Sequence, residues 1–139
     1  MRDRLTRPCF LVLEQEFPSN LSTRKLVIET AKFNVLSAYS PEEAVRTLGR
    51  FPNVDGIVMD ANRKDVPCAQ LIEHLRAVRG DVPIITVAPG GFQYCEGQTE
   101  HVDSMNPAEL VAKLQELFPK ATEAIEQREE TLADRYNPA

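Results

Sequence analysis

The sequence predicts an α/β fold, a doubly wound five-stranded parallel sheet covered by helices on both faces, and three observations carry that expectation. Strand-like and helix-like segments alternate about five times along the chain. The strand-like segments are continuously apolar rather than alternating, as strands buried on both faces must be. At 139 residues, the chain has the size of one domain built around one core.

The elements follow in order. "CFLVLEQEF" opens with β-type residues and ends at glutamates, so it reads as a buried first strand. "PSNLSTRKLVIETAKF" changes period, with Leu26, Val27 and Ala31 on one helical face and Ser19 or Asn20 as N-cap. "NVLSAY" is a short second strand. In "SPEEAVRTLGRF", Ser40 as cap, Pro41 at the first helical position and Glu43 three residues after the cap form a capping box, ahead of an apolar face of Ala44, Val45 and Leu48. "VDGIVMDANRKD" supplies the third strand and ends it at Asp60. "PCAQLIEHLRAVRG" follows as a helix with Leu71, Ile72, Leu75 and Val78 inward and Gly80 as its stop. "DVPIITVAPGG" is a fourth strand ended by a Pro-Gly-Gly turn. "FQYCEGQTEH" is too polar for a regular helix and reads as one turn or a loop. "HVDSM" is a short fifth strand, and "NPAELVAKLQELF" is a helix capped by Asn106 with Leu110, Val111, Leu114 and Leu117 inward. These elements make one domain over residues 1–118. Residues 119–139 form a charged, helix-prone tail with a sparse stripe of Ile125, Leu132 and Tyr136, expected to be a solvated extension or linker, with a partner-binding helix as the alternative.

Composition narrows the function classes. A net charge of −5 argues against a general binder of nucleic-acid phosphates, which requires clustered Lys and Arg. No apolar run approaches the roughly 20 residues of a spanning helix. The basic start "MRDRLTRPCFLVLEQEF" reaches Glu14 within a few residues and has no small-residue cleavage pattern, so the chain is read as unprocessed and cytoplasmic. Cys9, Cys68 and Cys95 are an odd set without CxxC spacing, and are expected to be free thiols rather than a disulfide or a zinc site. His74 falls beside Glu73, away from the apolar stripe of its helix, and is expected to be solvated; His101 has no partner pattern.

In an open parallel sheet the functional crevice lies beyond the carboxyl ends of the strands. That rule places Glu14, Gln15 and Glu16 after strand one, Asp60 after strand three, Ala88 after strand four and Asp103 in strand five on one edge. Acids at the ends of neighbouring strands repel unless a cation or a proton compensates. Oxygen ligands without imidazole suit Mg²⁺, which takes one or two carboxylates and keeps several waters.

In these features the sequence resembles the receiver domains of two-component response regulators, which share a flavodoxin-like doubly wound fold, over about residues 8 to 118. "FLVLEQE" lies where that family has an apolar strand ending in two acids, which implies the acidic-pair positions for Glu14 and Gln15. "DGIVMDANRKD" matches the phosphoacceptor segment, which implies that role for Asp60. Asn62 then falls where a backbone carbonyl would join Glu14, Glu16 and Asp60 on Mg²⁺, Glu16 replacing Gln15 if the register slips by one. "VPIITVAP" and "HVDSMNPAELVAKL" match the fourth strand and the last strand and helix. A histidine kinase or another signalling protein is the implied partner, with a homodimer through the tail or last helix as a further expectation and no enzyme activity on a separate substrate.

The departures fall on the chemical positions. The hydroxyl that would bond a phosphoryl group falls on Ala88, the charge-balancing lysine on Asp103 and the following proline on Ser104. Thr86 shares a strand face with Ala88 and would restore the hydroxyl only through a register shift. After Asp60, the family's proline and glycine are Lys64 and Cys68, and the segment for the fourth helix is several residues short. An aspartate in place of the lysine is costly, since two like charges 4 Å apart repel by about 4 kcal/mol even at an effective dielectric near 20. Arg63 and Lys64 are the nearby cations, more often solvated than not. Three readings follow: an atypical receiver acting through protein contacts with Asp60 at the phosphoacceptor position; a degenerate receiver that is only a phosphorylation-independent interaction module; and a flavin- or nucleotide-binding enzyme, for which "PSNLST" is the one hint, without the glycine that a phosphate loop needs.

Overall fold

Segments rich in β-branched and apolar residues form β1 (Cys9–Leu13), β2 (Asn34–Ala38), β3 (Gly56–Asp60), β4 (Ile84–Val87) and β5 (Glu100–Val102). The structure, a computed structural model, describes residues 7–14, 23–61, 63, 65–88, 95–103 and 106–136. The strands make one five-stranded sheet in the order β2-β1-β3-β4-β5, with every pairing parallel. The helices are α1 (Thr23–Thr30), α2 (Pro41–Arg50), α3 (Cys68–Val78), α4 (Pro107–Leu117) and α5 (Pro119–Tyr136). This is the doubly wound, receiver-type architecture expected from the sequence.

Every residue of β1, β3 and β4 is buried, so the alternation of side chains sends successive residues into two separate cores. Leu11, Leu13, Ile57, Met59 and Ile84 pack with Ala44 and Leu48 of α2 and Leu71, Ile72 and Leu75 of α3. Phe10, Val12, Val58, Ile85 and Val87 pack on the other face with Ile28 of α1 and Leu110 and Leu114 of α4. Phe10 anchors that second core, its ring meeting Phe33 and Phe118 edge-on with centroids 5.4 Å away in each case.

Local signals placed the helices where expected. The Ser40 hydroxyl accepts from the Glu43 backbone N–H at 3.1 Å, and the Glu43 carboxylate accepts from the Tyr39 N–H at 3.3 Å. The Asn106 side chain accepts from the Ala108 N–H at 3.0 Å, with Pro107 opening α4. Two inward expectations are corrected. Leu26 is 52% exposed, because Ile28 is the residue of α1 that meets the sheet, and Val78 is 41% exposed at the end of α3. His74 is exposed, as expected. Ser19 and Asn20 lie outside the described residues. The charged tail is the helix α5, and its Ile125 is buried in the core beside α1 and α4. Among the described residues no helix is long and apolar enough to cross a membrane.

The connection between β4 and β5 is the turn or loop that its polar sequence suggests, but it carries a bond that the sequence did not. Among its described residues there is no helix; the chain from Cys95 to Thr99 is a turn clamped onto α3. Cys68 and Cys95 are joined in a disulfide with their Cα atoms 6.3 Å apart, which corrects the expectation of free thiols for both. Two cysteines 27 residues apart carry no spacing signal, and only the placement of the turn against the first residue of α3 brings them together. Cys9 is free and buried, and burial, followed by the nearby Asp55 carboxylate, pushes its thiol up from the ordinary cysteine value. Gly97 has a φ of +94°, and a Cβ there would lie 2.7 Å from the Ile72 side chain. The Arg76 guanidinium donates to the carbonyls of Gly80, Val82 and Gly97 and to the Thr99 hydroxyl, holding the turn and the entry to β4 together.

Two outcomes are expected from this clamp. Closing a loop of that length contributes about 3 to 4 kcal/mol on the chain-entropy estimate, so reduction or Cys68→Ser should lower the urea-unfolding free energy by that order, with Cys9 modified only after unfolding. Gly97→Ala should cost about 1 to 3 kcal/mol through left-handed strain and the clash with Ile72, measured by the same unfolding titration.

Candidate functional site

The strand order changes direction between β1 and β3, and in such sheets the crevice opens beyond the carboxyl ends of the strands at that point. Asp60 is the last residue of β3, and Glu14 follows the last residue of β1. Val12 stands opposite Val58, so the same register brings Glu14 level with Asp60. Alternation then puts both acids on the face of Val12 and Val58, the one that α1 covers. Asp60 is 8% exposed and Glu14 9% exposed. The Glu14 backbone N–H donates to the Ala38 carbonyl at 2.8 Å, which fixes the residue at the strand end, and its Oε2 is buried with no hydrogen-bond partner among the described residues.

The cation that compensates Asp60 comes from α1. Arg24 Nη2 donates to Asp60 Oδ1 at 2.8 Å, with the arginine side chain 19% and the aspartate side chain 11% exposed. Sequence reasoning missed this residue, although a signal existed. Arg24 lies in the first turn of α1, a turn with no acidic residue, where a cation opposes the helix dipole. A basic residue there is stabilised when an acid faces it, and Asp60 is that acid.

The other expected positions are distributed differently. Ala88 is fully buried just past β4 and donates its N–H to the Val102 carbonyl, so it provides no hydroxyl. Thr86 does not substitute for it. Its Oγ1 is fully buried on the α3 side of the sheet, at 2.6 Å from Gln98 Oε1 and 2.7 Å from His101 Nδ1. His101 therefore has partners that the sequence did not suggest, since Thr86 and His101 are paired in the β4–β5 register and Asp103 Oδ1 lies 3.7 Å from the His101 Nε2. Asp103 follows β5, with its side chain 63% exposed, and is directed to His101 on that same face. Arg63 is paired locally: its Nε and Nη2 donate to the two Asp65 carboxylate oxygens at 3.0 and 2.7 Å. That bond is the main reason the Asp65 carboxyl is held below the ordinary aspartate value. Gln15, Glu16, Asn62, Lys64 and Ser104 lie outside the described residues. A cleft of about 390 Å³ lined by Lys32, Phe33, Gln115, Ile125 and Glu126 opens where β2 begins, at the opposite end of the strands from Asp60.

A divalent cation fits this arrangement poorly. Oxygen donors of the correct kind are present in Asp60 and Glu14, but a guanidinium already occupies Asp60 Oδ1. Among the described residues, no group of three or more His, Cys, Asp or Glu side chains is arranged to hold a metal.

The comparisons with known proteins agree on the fold. No family model matches the sequence, and no curated protein matches it. Solved structures do match. The receiver domain of the sensor histidine kinase PA1611 from Pseudomonas aeruginosa, with magnesium coordinated in its active-site cleft, is 22% identical, with a TM-score of 0.67 over 80% of this chain and 97% of that one. A CheY-like receiver domain protein from Methanospirillum hungatei is 18% identical, with a TM-score of 0.67 over 86% of this chain and 99% of that one. The complex of histidine kinase ThkA with the response regulator TrrA matches at 22% identity and a TM-score of 0.66, over 79% of this chain and 97% of that one. The chain thus has the CheY-like receiver-domain fold of two-component response regulators.

Arg24→Ala should leave Asp60 nearly buried without its cation, which costs about 2 kcal/mol on the scale of a charge-assisted hydrogen bond; denaturant unfolding at neutral pH measures it.

Proposed function

We propose that this chain is an atypical receiver domain of two-component signal transduction, with Asp60 at the phosphoacceptor position and its output made through protein contacts. The observation that carries the reading is the placement of Asp60 at the end of β3, in the crevice at the β1/β3 switch point of a receiver fold. Transfer from a phosphohistidine would break an N–P bond and form an O–P bond at Asp60, replacing the single charge of the carboxylate with a phosphoryl dianion beside Glu14. Among the described residues, the groups that would receive that charge are lacking or committed elsewhere. Ala88 has no hydroxyl, Thr86 is bonded to Gln98 and His101 on the other face, and Asp103 is itself an anion. Phosphorylation at Asp60 is therefore impaired, and recognition by a partner does the signalling. That partner is a histidine kinase or another signalling protein; the ThkA–TrrA complex is a neighbour in which a response regulator meets a histidine kinase.

The second reading, a degenerate receiver that is purely an interaction module, is favoured by the Arg24–Asp60 ion pair, which engages the carboxylate that chemistry would need. Beryllofluoride with Mg²⁺, titrated into the labelled protein and followed by NMR, tests both. Weak or absent shifts are expected; tight shifts that vanish in Asp60→Asn would overturn the claim that phosphorylation is impaired.

A further inference from the structure

We infer that Arg24 is a built-in counter-cation that takes on Asp60 the place of a divalent metal, so that the carboxylate is balanced and shielded by α1 in the resting domain. The inference rests on the reading of Asp60 as the phosphoacceptor position and specifies how that position is held.

The geometry carries it. The 2.8 Å contact joins two side chains that are 36 residues apart and mostly withdrawn from water, and it is a charge-assisted bond rather than a solvated surface pair. The contribution is made by the first turn of a helix, where a cation is otherwise unfavourable. Nine-tenths of Glu14 is buried at the level of Asp60 in the β1–β3 register, and its Oε2 has no hydrogen-bond partner among the described residues. Two carboxylates and one guanidinium leave a single net negative charge at the strand ends. Without Arg24 there would be two, and the crevice would draw in a divalent cation as acid pairs do. A guanidinium keeps its charge throughout the accessible pH range. A metal ion competing for Asp60 Oδ1 would have to displace the arginine or lie against it, and a dication feels that repulsion doubly. The sequence has no lysine at the end of β5 because Asp103 stands there, facing His101. The positive charge of the site has moved from β5 to α1.

The arrangement also links Asp60 to α1. Any partner that draws the first turn of α1 outward uncovers the carboxylate, and any ligand of the carboxylate frees the helix start. Coupling of this kind is reciprocal.

The test compares the wild-type chain with Arg24→Gln, Arg24→Lys and Asp60→Asn by NMR of the arginine guanidinium groups and by Mg²⁺ titration of the backbone amides. In the wild type, the Arg24 guanidinium signal is expected to be resolved and slow to exchange, and to lose that protection in Asp60→Asn. Mg²⁺ is expected to bind Arg24→Gln about tenfold or more tighter than the wild type, while Arg24→Lys, which keeps the charge, stays close to the wild type. Unchanged Arg24 exchange in Asp60→Asn, or wild-type Mg²⁺ affinity equal to that of Arg24→Gln, would overturn the inference. If Arg24→Gln fails to fold, the guanidinium signals of the wild type and Asp60→Asn decide alone. Neither readout involves a kinase or partner, so a failure of the signalling reading leaves this result standing, and the reverse also holds.

Discussion

Burial of β1 and β3 on both faces is the constraint from which the rest of the molecule follows. Every residue of the two strands is buried, so neither face of the central sheet can be left to water. α2 and α3 cover one face and α1 and α4 the other, which fixes the parallel crossovers and gives the two cores their membership. At the carboxyl ends of these two strands the buried apolar run gives way to polar groups. Met59 and Leu13 are still core residues; the next positions, Asp60 and Glu14, are carboxylates. A charged pair at the lip of an apolar core must be compensated, and the helix that covers that face supplies Arg24.

Charge at this crevice is distributed by sheet face. Asp60, Glu14 and Arg24 share the α1 side, whereas Thr86, His101 and Asp103 share the α3 side, where Thr86 Oγ1 meets His101 Nδ1 and Asp103 lies 3.7 Å from the His101 Nε2. That division explains why Asp103 is not a simple charge reversal at the site. Its carboxylate is exposed and directed to an imidazole on the other face, so it withholds a cation from Asp60 without itself pressing on it. Thr86 does not serve as the missing hydroxyl because it points to the α3 side, away from Asp60, and is bound there to Gln98 and His101.

Among its described residues, the connection after β4 is held to α3 by side-chain links. The Cys68–Cys95 bridge, Gly97 fitted against Ile72 and the Arg76 guanidinium reaching several carbonyls fasten the turn to α3. Cys95 becomes part of the core beneath α3, in contact with the cluster containing Leu71 and Ile72. The fastening stands near the crevice in sequence at one end, since α3 begins a short loop after Asp60.

The alternation of continuous apolar runs with capped helices was legible in the sequence because those signals are local. Ser40 with Glu43, Asn106 with Pro107, and the unbroken "FLVL" and "GIVMD" each express a preference that neighbouring residues satisfy. The position of Asp60 at the crevice was legible for the same reason, as the last residue of a buried strand. What only the tertiary structure decided depends on residues distant in sequence. Arg24 meets Asp60 because α1 lies over the face to which Asp60 points; His101 meets Thr86 because β4 and β5 pair in one register; and Cys68 meets Cys95 because a turn is folded back on α3. A chain's local pattern states which side chains are buried, whereas which charge faces which is set only when the layers are assembled.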